Sequence, residues 1–266
     1  MGRIGILAGA GQLPVLLQNN YPDALVITFE GMASDVQNAQ VFRFEHLGGL
    51  FELLTNQNIT RVCMVGGLSR PKLDPALFDD GMKAIAPRLA SAMASGDDGL
   101  LKTIISIFAE RGLKTVGVHE LLPELTAPDG VLTKVKPTDQ HINDIKRADA
   151  ILSALSPVDV GQAVVVEHGI CLGIETIQGT DYLLDQVYST RSQLRRGKGV
   201  LVKRPKLGQD LRVDMPTIGP ATVQNAARAG LAGIAISSGC VLLADRTKLL
   251  EDADALGLFV VAGAME

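Results

Sequence analysis

The chain has no tryptophan, and aromatic residues make up only 4% of it. That scarcity argues against a platform on which the bases of a single strand would stack. A formal net charge of −4 argues equally against a basic face for duplex binding. Nucleic acid is not an expected partner. Cysteine is sparse: Cys63, Cys171 and Cys240 stand far apart with no paired spacing. Such usage fits a reducing compartment, not a disulfide framework or a zinc site. His46, His119, His141 and His168 form no His-x-x-His or His-x-x-x-His pair, so a histidine-built metal centre is not expected. No apolar run is long enough to span a bilayer, and the opening MGRIGILAGAGQLP has no signal-peptide anatomy. A cytoplasmic chain is the expectation.

What is present is a sizeable core. Apolar residues supply 47% of 266 positions, and mean hydropathy is +0.23, which excludes a disordered chain and bounds the protein at one large domain or two modest ones. Strands are expected at Ile4–Ala8, Ala24–Phe29, Arg61–Val65 and Thr115–Val118, and helices after Gly11, at Leu47–Gln57, Pro75–Ala94 and Gly99–Arg111. Alternation of this kind implies a parallel sheet with helices on both faces and ligands at the carboxyl ends of strands. Pro123 to Thr138 carries three prolines and little helical period, which places a linker near Lys134 to Pro137. Beyond it, Thr138 caps a helix over Asp139–Leu155, and Ala163–Glu167 pairs with Ile170–Glu175 in a hairpin turning at His168-Gly169. The expected fold is α/β in two domains: residues 1–133 as a Rossmann-like parallel sheet, residues 137–266 as a mixed α/β domain.

The densest chemistry lies in Gly199 to Thr222, GVLVKRPKLGQDLRVDMPTIGPAT. A short strand there runs into a loop carrying Lys203, Arg204, Lys206, Gln209, Asp210, Arg212, Asp214 and Thr217, then into a helix near Thr222. Cations that meet phosphoryl oxygens and carboxylates that meet a divalent ion are what a phosphate ester with a metal requires; a solvated surface loop is the competing reading. Asp214 sits between Val213 and Met215 beside Pro216, an apolar setting in which an acid needs a partner or a metal. Glu175 and Asp181 flank a helix start at Thr180, where they either face a common point or merely serve the helix terminus.

In the first half, Gly9-x-Gly11 with Gln12 and Leu13 opens a helix, and Glu30 ends the second strand. This is half of a dinucleotide fingerprint, but Pro14 occupies the third glycine position. A nucleotide diphosphate on the same helix N-terminus is the alternative reading. Arg70 in GGLSRP stands ready for a phosphate, and Asp97 and Asp98 in GDDG either bind ribose or metal or cap the following helix.

Taken in order, GAGQLP, GGLSRP, GDDGLL, IETIQGTD and the Gly199–Thr222 segment resemble the LpxI-type UDP-2,3-diacylglucosamine pyrophosphatases of lipid A biosynthesis in Gram-negative bacteria. The resemblance implies a two-domain enzyme that hydrolyses UDP-2,3-diacylglucosamine with Mg²⁺ to UMP and 2,3-diacylglucosamine 1-phosphate (lipid X). It would work at the cytoplasmic face of the inner membrane, associated peripherally, and a homodimer is one expectation for its assembly. On this reading Asp214 binds Mg²⁺ or orients the attacking water, assisted by Asp210, Glu175 and Asp181. Lys203 and Arg212 neutralise the phosphoryl oxygens. Gly9, Gly11, Gln12, Leu13, Asp97 and Asp98 hold the nucleotide side; Arg70, Thr180, Gln209, Thr217 and Thr222 complete the substrate contacts. A nicotinamide-dependent oxidoreductase, resting on Gly9, Gly11 and Glu30, and a non-catalytic nucleotide-sugar or lipid binder are the competing functions.

Overall fold

The computed structural model of the chain describes residues 2–68, 71–93 and 97–265. It comprises two compact units, Met1–Pro123 and Glu124–Glu266.

The first unit holds strands β1 (Arg3–Ala8), β2 (Leu25–Phe29), β3 (Gln40–Phe42), β4 (Ile59–Val65) and β5 (Lys114–Thr115). They form one sheet in the order β3-β2-β1-β4-β5, and every neighbouring pair is parallel. Helices α1 (Gln12–Asn20), α2 (Leu47–Asn56), α3 (Asp80–Met93), α4 (Asp97–Glu110) and the short α5 (Val118–Leu121) connect them. The central strand β1, RIGILA, is buried from Ile4 onward on both faces (Gly5 included), which is why it reads as an unbroken apolar run and not as an alternating one. Leu7, Ile27, Leu54, Val62 and Met82 form the core on one side, with Phe51 set edge-on to Phe108 at 5.5 Å. The expected helix from Pro75 begins only at Asp80; Asp79 caps it, accepting from Met82 N at 2.6 Å. Val118, expected to end a strand, instead opens α5.

The order reverses at β1, and two glycine turns meet there. Gly9 N donates to Val65 O (2.8 Å), Ala10 N to Gly67 O (2.9 Å), and Gly67 N returns a bond to Ala10 O (3.0 Å). The approach leaves no room for side chains: a Cβ on Gly9 would lie 2.4 Å from Gly67 O. Gly66 has φ +90°, and its Cβ would lie 2.6 Å from Ala10 O and 2.8 Å from Pro14 Cγ. Pro14 therefore packs where a dinucleotide fingerprint would place its third glycine.

The second unit is built on β6 (Gly130–Val131), β7 (Ala163–Glu167), β8 (Ile170–Ile174), β9 (Val200–Lys203), β11 (Gly233–Ser237) and β13 (Phe259–Gly263), ordered β6-β13-β11-β9-β7-β8. Strands β9, β11 and β13 are parallel; β7 and β6 run against them. A separate pair, β10 (Thr217–Ile218) and β12 (Leu242–Leu243), lies outside this sheet. Period-two alternation divides the core cleanly. Val165, Leu201, Ile234 and Val260 pack against α7 (Gly179–Tyr188), α8 (Pro220–Arg228) and α9 (Arg246–Leu256) through Leu184, Val223 and Leu249. Val164, Val202, Ala235 and Phe259 pack on the other face against Ala148 and Leu152 of α6 (Asp139–Leu155).

Thr138 caps α6 as its sequence position predicts, accepting from His141 N at 3.4 Å while His141 Nδ1 accepts from Thr138 N at 3.2 Å. The β7–β8 hairpin turns at His168 (φ 47°) and Gly169 (φ 76°), a two-residue turn with both centres left-handed. Fully buried Asp144 holds it, accepting from His168 N at 3.0 Å and Gly169 N at 2.7 Å.

The division falls after Pro123, ahead of the linker expected near Lys134 to Pro137. Residues 124–136 belong to the second unit: Val131 pairs with Val261, Leu132 N donates to Val260 O (2.9 Å), and Val260 N donates to Thr133 Oγ1 (2.9 Å). Prolines and glycine suit this segment because it is the sheet's outer strand, where few ladder bonds are asked of it. Helix α7 ends at Tyr188.

The interlocked turns make a direct prediction. Gly66→Ala should destabilise the first unit by about 2 kcal/mol or more, from strain and overlap together. Urea unfolding measures this, and a loss under about 0.5 kcal/mol would contradict the packing described.

Candidate active site

Strand β9 ends on Lys203, and Arg204 follows it, the two side chains leaving toward opposite faces of the sheet. Arg204 goes to the α6 face. There its Nε lies 2.8 Å from Asp149 Oδ1, and a terminal nitrogen donates to Ser153 Oγ at 2.6 Å. This buried arrangement ties the strand to α6. Lys203 goes to the other face, its side chain 11% exposed. Its Nζ donates to Thr180 Oγ1 at 2.6 Å, and Thr180 in turn donates to Glu175 Oε1 at 2.8 Å. The ammonium lies 3.9 Å from that same carboxylate oxygen.

Each partner is fixed by its local chain. Thr180 occupies the first turn of α7, after Gly179 at φ +86°. Glu175 follows β8, its main-chain N bonded to Ala163 O at 2.8 Å and its Oε2 accepting from Gln162 N at 3.1 Å. Gly161 makes that approach feasible: at φ +62°, a Cβ there would lie 2.2 Å from Glu175 O. Asp214 is held by the amide of Gln209, which donates both to its main-chain oxygen (2.7 Å) and to Oδ2, and by Gln162 Nε2, 3.4 Å from Oδ2. Asp181 Oδ1 accepts from Asn225 Nδ2 on α8 at 2.9 Å.

Burial drives the Lys203 pKa below the ordinary lysine value, while Glu175, Asp181 and Asp214 all act to hold it up. Three acids thus serve one desolvated cation. Among the described residues, no group of three or more His, Cys, Asp and Glu side chains is disposed to enclose a metal ion.

The structure therefore brings together Glu175, Thr180, Asp181, Lys203, Gln209 and Asp214. Asp210 and Arg212 form a local fork: Arg212 donates to Oδ1 from its main-chain N (3.1 Å) and Nε (2.9 Å), and to Oδ2 from a terminal nitrogen. Thr217 Oγ1 donates to Met215 O at 3.2 Å, and Thr222 Oγ1 accepts from Gly219 N at 3.3 Å, capping α8. Gly9, Gly11, Gln12 and Leu13 belong to the first unit. Gly11 (φ +99°) precedes α1 without a side-chain cap, and Gln12 Nε2 donates to Asp35 Oδ2 at 3.4 Å. Arg70 lies outside the described residues; Asp97 and Asp98 begin α4, but their side chains lie outside the described part.

Gln162 and Asn225 join the site without having been expected from sequence. The signal for Gln162 is topological: β7 runs antiparallel to β9 with Ala163 opposite Lys203, so the residue entering β7 lands beside the end of β9.

A two-unit α/β chain with a lysine–carboxylate centre at a strand end is the class these observations define. The description "LpxI N-terminal domain" matches residues 3–125, and "LpxI C-terminal domain" matches residues 128–261. The chain belongs to the LpxI family. It is 36% identical over 272 residues to the UDP-2,3-diacylglucosamine pyrophosphatase LpxI of Caulobacter vibrioides, an alignment covering 98% of this chain and 97% of that relative.

Removing one partner of a buried charge cluster exposes the cost of the others. Lys203→Met should cost about 3 kcal/mol in denaturant unfolding at neutral pH. The sign of the pH dependence follows from the lowered pKa. Between the folded and unfolded midpoints of Lys203 the unfolded chain binds the extra proton, so wild type should gain stability relative to Lys203→Met as pH rises through that window toward the ordinary lysine value. A flat or falling difference would contradict the buried-cation assignment.

Proposed function

We propose that this protein hydrolyses the pyrophosphate bond of UDP-2,3-diacylglucosamine, releasing UMP and 2,3-diacylglucosamine 1-phosphate (lipid X) in lipid A biosynthesis. The observation that carries the reading is the Lys203 centre, with Thr180, Glu175, Asp181 and Asp214 around it, in a chain of this family. A desolvated ammonium is the group that charge developing on phosphoryl oxygens calls for, because it is already oriented and needs no solvent rearrangement. Arg212 adds a second cation on the same loop. Asp214 takes the proton of the attacking water, held in aim by Gln209.

Two of the three thiols are poor candidates for a covalent nucleophile. Burial pushes Cys63 up to about 12, and Cys171 is also raised by burial, so neither is a thiolate nucleophile at neutral pH.

The donor chemistry fits magnesium. The ion binds through one or two carboxylates and substrate phosphates without a dedicated protein cage; with no three acids disposed around a metal among the described residues, one carboxylate of Asp214, Glu175 or Asp181 would hold it together with the diphosphate. Magnesium would neutralise charge on the diphosphate. In the first unit, the N-terminus of α1 at Gly11 to Leu13 has no side-chain cap and keeps its main-chain donors for a phosphate group.

No helix among the described residues is long and apolar enough to cross a membrane. The loops of the centre nevertheless present apolar side chains outward: Ile177, between Glu175 and Thr180, is 98% exposed, and Leu207, between Lys206 and Gln209, is 61% exposed. These suit the acyl chains of the substrate and a peripheral seat on the cytoplasmic face of the inner membrane.

Phosphorus NMR of UDP-2,3-diacylglucosamine with the protein, in Mg²⁺ and in EDTA, tests the proposal. UMP and lipid X should form with Mg²⁺ and not with EDTA, and Asp214→Ala should slow the reaction on the order of 10²-fold or more. Substrate that binds tightly and stays intact would make the protein a nucleotide-sugar or lipid binder instead.

A further inference from the structure

We infer that Gln162 orients the attacking water together with Asp214, an inference that rests on the hydrolase reading above. The residue lies between α6 and β7, and its main chain is pinned at both ends. Its N donates to Glu175 Oε2 at 3.1 Å, and its O accepts from Arg204 N at 2.9 Å. Its side chain is thereby delivered to the carboxylate side of the Lys203 centre, where Nε2 donates to Asp214 Oδ2 at 3.4 Å.

The other end of the amide is the informative one. Oε1 is buried and has no hydrogen-bond partner among the described residues. Reversing the amide does not remove the difficulty, because that would set the carbonyl oxygen against the Asp214 carboxylate. A buried acceptor without a donor costs stability. Gln209 shows the contrast: it grips the same Asp214, but its Oε1 accepts from Lys206 N at 2.8 Å. One glutamine has both ends satisfied within the fold. The other keeps an acceptor for a donor that arrives with the reaction.

Water is the donor of matching chemistry. Oε1 is closed to water in this structure, so a turn of the Gln162 side chain on substrate binding presents it to the water, whose two hydrogens then meet Gln162 Oε1 and the Asp214 carboxylate and whose lone pair turns toward the phosphorus. Water oxygen then bonds to phosphorus, the bond from phosphorus to the bridging oxygen breaks, and the leaving phosphate takes the electron pair. One proton passes to Asp214, and the other stays on the new phosphoryl hydroxyl, bonded to Gln162. An amide that aims water without acting as a base is an established way to serve phosphoryl transfer.

The test is Gln162→Met, which keeps length and removes both polar ends, assayed for UMP release alongside wild type and followed by thermal melting. The expected result is kcat lowered on the order of 10²-fold with KM within about threefold of wild type. The melting temperature should be unchanged or higher, since an unsatisfied acceptor has gone. A purely structural role predicts the reverse: a fall in melting temperature with kcat within about twofold of wild type, and that result overturns the inference. If Gln162→Met fails to fold, Gln162→Asn, with the amide drawn back by one methylene, should lower kcat at unchanged KM; wild-type kcat there overturns it. No UMP from wild type would overturn the hydrolase reading and this inference with it, whereas equal UMP from wild type and variant removes this inference alone.

Discussion

An ammonium at the end of β9, largely removed from water, needs charge and hydrogen-bond acceptors brought to it, and the second unit is arranged to bring them. Thr180 comes from the first turn of α7, Glu175 from the end of β8, and Asp214 from the loop that leaves β9. The acids are themselves held in place. Gln162 N grips Glu175, Gln209 grips Asp214, and Asn225 grips Asp181. Buried ion clusters of this kind are poor sources of stability, since apolar residues of similar volume often do as well. Their presence at the edge of an otherwise apolar core is better accounted for by chemistry on an anionic ligand.

The two cations at the strand end divide the work by parity. Arg204, one residue on from Lys203, faces α6 and is taken up by Asp149 and Ser153. It anchors the strand while Lys203 faces the site. In the first unit, the glycine turns after β1 and β4 serve a different constraint. They bond to each other through main-chain groups, and a side chain at Gly9 or Gly66 would overlap the opposite turn.

Much of this was legible in the sequence where a single local rule decides. The Val200–Lys203 strand, the Thr138-capped helix and the His168-Gly169 hairpin follow from apolar runs, a capping residue and turn chemistry. For the site, strand and helix ends left Glu175 and Asp181 either facing a common point or serving the helix terminus, and only the family resemblance joined Lys203 and Asp214 to them. Other features depend on partners far away in the chain. The Pro- and Gly-containing segment before α6 reads as a linker until β13 is there to pair with Val131. Two-residue β10 finds its register only against β12. Gln162 carries no local signal at all; only the antiparallel pairing of β7 with β9 brings it to the site. The fork of Asp210 and Arg212 shows the opposite effect, since residues so close in sequence satisfy each other within their own turn.

If the reaction takes place at the Lys203 centre, substrate must shield the chain there. Hydrogen–deuterium exchange on the Asp214→Ala protein, with and without UDP-2,3-diacylglucosamine, reads this without turnover. Slowed exchange in the segments around Gln162, from Glu175 to Asp181 and from Lys203 to Asp214 is the predicted result. Exchange unchanged in all three, with protection confined elsewhere, would contradict the assignment of the active site.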